Sequence, residues 1–196
     1  MASLFDYIFR TKNKSHFLEL LDTGKTYNDH PVYMRQVATS RQYIESAAAV
    51  QARPNNADAY VGDDALTDAN GLAMLIELAP ANDVKMEIDA LKLIGSGTSM
   101  GAALAVIEAY IFNGPAVPAA DNAVFTFPAA NCLGILRGTM QQTTDGSFGL
   151  LTPVAPIIGR PIAGSRNYRV LFKTLTGYVP AASTTLSARA LGRVAL

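Results

Sequence analysis

The sequence predicts a mainly β protein: an antiparallel β-sandwich, jelly-roll-like, with an N-terminal extension containing short α-helices. From Tyr60 onward, short apolar runs are separated by Gly, Pro, Asn or Asp, which is the pattern of strands joined by turns. No helical repeat stands between these runs, and this favours antiparallel over parallel pairing. We therefore divide the chain into an N-terminal helical arm and linker over residues 1–55 and a β-sandwich domain over residues 56–196.

The arm carries two helix signals. Ser3 followed by Asp6 has the spacing of a helix cap, and a second segment runs from Ser15 to a terminating Gly24. Alanines after residue 46 extend a further helix to Ala52. Helices this short are not stable alone, so they must lie on the domain or on a partner. The predicted partner contacts of the arm are Leu4, Phe5, Tyr7, Ile8, Phe9, Phe17, Leu18 and Leu21.

Strands are predicted over residues 72–78, 84–95, 102–112, 131–138, 168–177 and 184–196. Two of them alternate in polarity, so that successive side chains should point to opposite faces of the sheet. In the strand over 84–95, one face is predicted to hold Met86, Ile88, Ala90, Lys92 and Ile94. In the strand over 168–177, one face is predicted to hold Tyr168, Val170, Phe172 and Thr174.

The segment GPAVPAADNAVFTFPAANCLG, residues 114 to 134, separates two of these strands and holds almost no group suited to catalysis. Loops of this length are usually functional or mobile, and Pro115, Pro118 and Pro128 stiffen this one. Phe125 and Phe127 can pack either under the sandwich or into a neighbouring protein. Both alternatives are open, and we predict that these two phenylalanines contact a partner.

Composition indicates that surface is hidden between subunits. Charged residues make up 16% of the chain and hydrophobic residues 49%, against about 25% charged in an average domain. The net charge is zero, so no general attraction to nucleic acid is expected. No apolar run approaches the roughly 20 residues of a membrane span, and the N-terminus does not resemble a signal peptide. Cys132 is alone, which excludes an internal disulfide and suits folding in a reducing compartment.

Charge is unevenly distributed along the chain. Residues 1–50 hold six basic and five acidic side chains, residues 51–136 three and ten, and residues 137–196 seven and one. The acidic middle and the basic end are therefore expected to attract each other. They can do so between neighbouring strands of one sandwich or head to tail between subunits.

Motifs for nucleotide or metal binding are incomplete. DTGKT (22–26) has Glu19 where a phosphate-binding loop needs glycine, and GSGTSMG (95–101) has its third glycine one place late for a dinucleotide fingerprint. LTDANGLAMLIE (66–77) resembles a calcium loop but begins with Leu66 instead of aspartate. We predict no cofactor and no metal.

Catalytic groups are also sparse. His16 and His30 are the two histidines, and neither belongs to a recognisable catalytic motif. Paired carboxylates such as Asp63 and Asp64 would suit a glycosidase, but the chain has no tryptophan to stack on sugars. The sequence therefore predicts a protein that is not an enzyme. A small hydrolase dependent on His16 or His30 is the least favoured alternative.

Four segments occur in an order similar to that of a group of tailed-bacteriophage virion proteins. They are AYVGDDAL (59–66), IDALKLIGSG (88–97), AVIEAYIFNGPAVPAADNAVFTFPAANCLGILRG (105–138) and YRVLFKTLTGYVPAASTTLSARALGRV (168–194). The most specific part of the similarity is the segment that contains Asp121, Asn122, Ala123 and Phe125. Phe172 and Lys173 depart from the Leu-Tyr expected there.

The resemblance implies a capsid decoration, or cement, protein on a β-sandwich. Such a protein would bind the outside of the capsid and stabilise it by clamping neighbouring major capsid subunits. The expected partners are the major capsid protein and further copies of the chain, with a trimer favoured, and neither nucleic acid nor membrane. The expected location is the virion surface, after folding in the host bacterial cytoplasm. The alternative is a tail- or fibre-associated adhesion module that binds host glycan, supported by Asp63, Asp64 and Asp68.

Overall fold

The computed structural model describes the strand residues 17–20 and 34–37 and then residues 42–116, 119–127 and 129–195. The chain divides into two compact units, Met1–Arg41 and Gln42–Leu196. This division lies earlier than the domain boundary predicted near residue 55, because strands that belong to the larger unit begin at Tyr43.

In the smaller unit, β1 (Phe17–Leu20) pairs with β2 (Met34–Val37) in an antiparallel ladder. The helix predicted from Ser15 to Gly24 is therefore wrong over β1, whose backbone groups bond to a neighbouring strand instead of within one turn. Phe17 and Leu18 are thus strand residues. The other predicted contacts of the arm, Leu4, Phe5, Tyr7, Ile8, Phe9 and Leu21, lie outside the described residues.

The larger unit confirms the predicted fold class. The structure is 48% strand and 5% helix, and its strands form a multi-stranded antiparallel sheet. The elements of this unit are β3 (Tyr43–Glu45), β4 (Ala49–Ala52), β5 (Ala65–Leu66), β6 (Met74–Glu77), β7 (Met86–Gly95), α1 (Ser99–Ala102), β8 (Val106–Phe112), β9 (Cys132–Thr139), β10 (Gln141–Gln142), β11 (Ser147–Pro153), β12 (Ile157–Gly159), β13 (Asn167–Thr174) and β14 (Thr185–Val194).

The strands form two halves that share one strand. In the half that we call the first sheet, β14 lies between β7 and the short strands β3 and β4, while β11 and β12 pair with the other side of β7. In the second sheet, β8 lies between β9 and β13, and β13 also pairs with β5 and β6. Strand β11 joins the halves, because Ser147–Leu151 pair with β7 whereas Thr152 and Pro153 pair with β9.

The main hydrophobic core takes side chains from both sheets. The alternation predicted for β13 is confirmed, since Tyr168, Val170, Phe172 and Thr174 are all buried. They alternate with Arg169, Leu171 and Lys173, which face the other side. The core further includes Ile76, Leu91, Leu93, Ile107, Ala109, Ile111, Leu136, Leu151 and Leu186.

The alternation predicted for β7 is correct only in its first half. Met86 and Ile88 are buried in the core, but the next core residues are Leu91 and Leu93. The reason is a β-bulge: Gly192 pairs with Ile88 and Leu191 pairs with Ala90, so that Asp89 is an extra residue. The extra residue shifts the period by one position and turns Lys92 and Ile94 to the outer face.

All six predicted strands of the larger unit are found, with changed ends. The strand predicted from residue 102 begins at Val106, because Ser99–Ala102 form the helical turn α1. The helix predicted up to Ala52 is wrong, since β3 and β4 occupy this part of the chain. In β4, Val50 points outward and Gln51 inward, where its Nε2 donates to the Leu72 carbonyl at 2.9 Å. Pairing with β14, together with this contact to a distant loop, outweighs the helix propensity of the alanines.

Candidate functional site

The β8–β9 loop, residues 113–131, covers the outer face of the second sheet. Strand β8 alternates so that Tyr110 and Phe112 point to this outer face, away from the main core. The rings of Phe125 and Phe127 lie against Tyr110, with ring centroids 4.6 and 4.7 Å away. Phe127 also meets the edge of Phe112, at a centroid distance of 6.2 Å. Of the two alternatives left open for these phenylalanines, the structure shows packing within the chain.

The packing leaves part of the loop exposed. Phe127 keeps 37% of its surface exposed, and Val124 keeps 73%. Both residues follow Asp121, whose side chain is only 4% exposed. The loop therefore combines a buried anchor with an apolar outer surface.

The anchor is an ion pair between Asp121 and Arg53. Arg53 Nη2 lies 2.9 Å from Asp121 Oδ2, and the two side chains are only 1% and 4% exposed. The Asp121 carboxylate also accepts hydrogen bonds from the Tyr60 hydroxyl at 2.7 Å and from the Thr67 amide at 2.9 Å. Breaking a buried pair by removing one partner typically costs about 3–5 kcal/mol, because the remaining charge is left without compensation.

The two hydrogen-bond donors of this anchor, Tyr60 and Arg53, both have raised pKa values. Burial, reinforced by the neighbouring Tyr178 and Asp121, raises the pKa of Tyr60 well above its ordinary value, so its hydroxyl stays protonated and donates to the carboxylate. Burial on its own lowers the pKa of Arg53, but the hydrogen bond to Asp121 and the nearby tyrosines outweigh that effect and raise it. The Tyr60 hydroxyl and the Arg53 guanidinium therefore both keep their protons near neutral pH.

Backbone hydrogen bonds hold the loop beside β5. The Ala65 amide donates to the Ala123 carbonyl at 2.8 Å, and the Phe125 amide donates to the Asp63 carbonyl at 2.8 Å. Between them, Asn122 has a φ of 62°, a left-handed conformation that asparagine tolerates better than most residues. The middle of the loop thus follows β5 as an additional, irregular strand.

Gly71 allows the loop to approach the turn before β6. Its φ is +70°, and a Cβ atom at this position would lie 2.5 Å from the Ala119 carbonyl oxygen. A side chain here would be strained and would also push Ala119 away. This glycine therefore serves the packing of the loop as well as its own turn.

A charged cluster lies beside the aromatic rings on the same outer face. Glu108 is 5% exposed and pairs with Arg137 and with Lys173, whose Nζ lies 3.2 Å from Glu108 Oε2. The Tyr110 hydroxyl donates to the same carboxylate at 2.8 Å. Lys173 also bonds to Asp63 Oδ1 at 3.0 Å. Lys173, which departs from the Leu-Tyr pair expected from the resemblance to virion proteins, is thus part of a network that joins β8, β13 and the turn before β5.

The uneven charge along the sequence is compensated within the chain. Ion pairs join the acidic middle to the basic end at Glu77–Arg166, Glu108–Arg137, Asp63–Lys173 and Asp89–Arg193. These pairs lie mostly between neighbouring strands. The intrachain alternative is therefore what the larger unit adopts.

The acidic residues considered for calcium or glycan serve local structure. Asp64 accepts a hydrogen bond from the Val61 amide at 2.6 Å, and Asp68 accepts from the Asn70 and Leu72 amides at 2.9 Å. Glu77 pairs with Arg166 from within a strand. Across the described ranges, no three His, Cys, Asp or Glu side chains are grouped as metal ligands. The DTGKT segment, His16 and His30 lie outside those ranges.

The residues that carry the resemblance to virion proteins meet in space. Tyr60 comes from the first similar segment and Asp121 from the third, and they are joined by the hydrogen bond described above. Arg53, their common partner, precedes all four segments, and no local pattern in the sequence points to it. No protein-family model matches the chain, and neither the curated proteins nor the solved structures compared with it give a match. Within the described part of the chain, no helix has the length and apolarity to cross a membrane.

Proposed function

We propose that the protein is a non-enzymatic structural subunit of a bacteriophage virion. In this proposal it binds the outside of the capsid and holds neighbouring major capsid subunits together, and the β8–β9 loop is one of its contact surfaces. The observation that carries the proposal is the exposed apolar surface of this loop on a rigid anchor. The arm residues predicted as contacts remain part of the proposal.

Rigidity is what suits the loop to this task. Binding orders the segments that make contact, and this loss of conformational entropy makes the binding free energy less favourable. Asp121, the aromatic packing of Phe125 and the hydrogen bonds to β5 hold the loop before any partner arrives. Val124 and Phe127 can then bury apolar surface on a partner with little further loss of conformational entropy.

The similarity to virion proteins supports the choice of partner. The similar segments supply Tyr60 and Asp121, which are the residues that hold the loop in place. A cement protein gains from many such contacts, because repetition over a lattice multiplies weak binding through avidity. Even a contact that buries about 1,000 Å² per copy then makes a substantial contribution to the binding free energy, at about 25 cal/mol per Å² before association costs are deducted.

The test is cosedimentation of the full-length protein with expanded, undecorated capsids of the same virus. We expect binding, and we expect Val124→Asp and Phe127→Ser each to weaken it at least tenfold. The matched control is Val179→Asp, which places the same charge on another exposed valine outside the loop. Capsid binding that survives both loop substitutions would remove the loop from the contact. No binding by the unaltered protein would contradict the proposal, and glycan-array binding in that case would favour the adhesion alternative.

A further inference from the structure

The two sheets leave an open seam where β4 faces the segment that leads into β6. Among the described strands, β4 pairs only with β14, and β6 pairs only with β13. Within the described ranges no backbone hydrogen bond joins β4 to β6, and the side chain of Gln51 crosses the seam to the Leu72 carbonyl at 2.9 Å. Residues 49–53 line one side and residues 68–70 and 72–75 the other side of a groove of about 560 Å³, which we call the edge groove.

In β4, every second residue turns its backbone groups toward the edge groove. The Arg53 amide donates to the Thr184 carbonyl at 3.0 Å, which fixes the phase of the ladder between β4 and β14. Because an antiparallel ladder bonds at every second residue, Gln51 bonds to β14, whereas Val50 and Ala52 point their N–H and C=O groups away from it. Among the described residues, these groups of Val50 and Ala52 have no hydrogen-bond partner.

Strand β6 presents a second open edge to the same groove. The Leu78 amide donates to the Arg166 carbonyl at 3.2 Å, so Ile76 bonds to β13 by the same alternation. The backbone groups of Leu75 and Glu77 then point away from β13. Two strands from different sheets therefore border one groove with backbone donors and acceptors that no described residue satisfies.

The two edges lack the features that usually stop a strand from pairing with another chain. Charged side chains, proline or a bulge commonly protect an exposed edge. Glu77, at the end of β6, is the one charged residue of the two strands, and neither strand contains proline. Val50 is 65% exposed, and Leu72 and Leu75 are each 52% exposed. The groove is therefore apolar at its walls and open to backbone pairing.

We propose that the edge groove is a binding site for an extended segment of a partner protein, which pairs with β4 as an additional strand. The unpaired groups of Val50 and Ala52 argue for a polypeptide as the occupant, because their spacing of two residues matches the backbone of a strand. The exposed side chains of Val50, Leu72 and Leu75 favour apolar residues at alternate positions of that segment. This site does not depend on the proposed function, and capsid cosedimentation is a separate measurement, so the two proposals can fail independently.

Charge further defines the segment. Two charged residues line the edge groove, Arg53 and Asp68. The Arg53 charge is compensated by the buried carboxylate of Asp121. Asp68 accepts hydrogen bonds from two amides of its own turn and forms no ion pair with a described residue. We therefore expect the bound segment to carry a lysine or arginine close to Asp68.

The first test is hydrogen exchange, measured residue by residue by NMR on the full-length protein. The amides of Val50, Ala52 and Leu75 face the groove. They should exchange at least tenfold faster than the amides of Gln51 and Ile76, which bond to β14 and β13. Equal protection of the two sets would show that the edges are already paired and would overturn the proposal. Protection that appears only as the protein concentration rises would identify a second copy as the occupant and would overturn it as well.

The second test selects peptides from a random display library on the immobilised full-length protein, and the most enriched peptide is synthesised as the probe. We expect apolar residues at alternate positions of this peptide and a lysine or arginine among the others. Its addition should protect the Val50 and Ala52 amides from exchange and leave the Gln51 amide unchanged. A library that yields no binder, or a peptide that leaves Val50 and Ala52 unprotected, would contradict the proposal.

Two variants of Val50 isolate the backbone contact. Val50→Pro removes the N–H that faces the groove, where an edge strand tolerates proline, and should weaken binding of the selected peptide at least tenfold. Val50→Ala shortens the side chain but keeps the N–H, so it should weaken binding by less than about fivefold. Asp68→Asn keeps an oxygen for its local hydrogen bonds and should remove the preference for a basic residue. Circular-dichroism melts confirm that each variant folds, and equal binding by the proline and alanine variants would exclude pairing with β4.

Discussion

The two outer faces of the larger unit both carry apolar side chains, but these are covered to different degrees. On the second sheet, the chain's own β8–β9 loop lies over Tyr110 and Phe112. On the first sheet, no described residue of the unit lies over Ile94 and Phe148. Apolar side chains alone therefore do not determine whether a sheet face is covered from within. One difference is the buried Arg53–Asp121 pair, which holds the loop in place, whereas the ion pairs described on the other face, such as Lys92–Glu45 and Asp89–Arg193, are more exposed.

Of the predicted changes, removal of the Arg53–Asp121 ion pair should have the largest effect on the stability of the larger unit. Asp121→Ala leaves the Arg53 charge buried without its partner, and we expect a loss of about 3–5 kcal/mol in the free energy of unfolding. Urea denaturation measures the loss, and increased binding of a hydrophobic dye would report the uncovered aromatic face. Asp145→Ala, at an exposed turn, is the control and should change stability by less than about 0.5 kcal/mol. Equal stability of the two variants would mean that the anchor does not hold the loop.

Comparison of two glycines allows the free-energy cost of disturbing the loop packing to be measured separately from the cost of backbone strain. Gly71 and Gly164 have nearly the same φ, +70° and +71°, but a Cβ atom would meet the Ala119 carbonyl only at Gly71, since Gly164 has no atom within 4 Å of that position. Gly164→Ala should cost about 1 kcal/mol from strain alone. Gly71→Ala should cost roughly 1–2 kcal/mol more, because packing clashes add to strain. Thermal and urea unfolding would measure both values, and identical losses would contradict the close contact with the loop.

Two phenylalanines with nearly equal exposure test the division of tasks between the faces. Phe127 on the covered face is 37% exposed, and Phe148 on the open face is 38% exposed. Replacement of either by alanine should cost about 1–2 kcal/mol in folding, less than a fully buried phenylalanine. Phe127→Ala should weaken capsid binding, whereas Phe148→Ala, on the face without the loop, should leave capsid binding unchanged. An equal loss of capsid binding in the two variants would argue against the β8–β9 loop as the contact surface.

The smallest effect is expected from pH. Burial on its own raises the pKa of Glu108, but hydrogen bonds from Arg137, Tyr110 and Lys173 outweigh it, and the pKa lies below the ordinary value of 4.5. A lowered pKa in the folded state stabilises the protein above pH 4.5, and this contribution disappears as the pH falls through the folded value. Glu108→Gln should therefore show a shallower loss of stability in acid than the unaltered protein. A parallel loss in both proteins would exclude Glu108 as a contributor.

Strand predictions succeeded where side chains alternate without interruption, and β13 is the clearest example. They failed where small residues occupy core positions: β11 places Ser147 and Gly149 inward, and this removes the apolar signal that would have predicted it. In β7, the bulge at Asp89 shifts the period, and only the partner strand reveals it. In β4, the helix propensity of alanine is outweighed by pairing with β14.

The candidate site could be predicted only in part. The prolines and phenylalanines of the loop indicated a rigid apolar segment, and Asp121 was singled out by the expected resemblance to virion proteins. Its partner Arg53 lies 68 residues earlier in the chain, and nothing in the sequence near Arg53 suggests the pairing. Contacts over such distances depend on the completed topology, so local patterns do not encode them.

The position of β14 also has a consequence for biosynthesis. The last strand of the larger unit lies inside the first sheet, between β7 and the strands β3 and β4, which are synthesised before every other strand of this unit. Until β14 is synthesised, β3 and β4 lack the strand with which they pair in the folded unit, and the apolar inner face of β7 is incomplete. The first sheet therefore closes only after β14 has left the ribosome, and pairing over such long sequence separations makes that closure slow. Unpaired strands that are exposed during this interval are prone to aggregate.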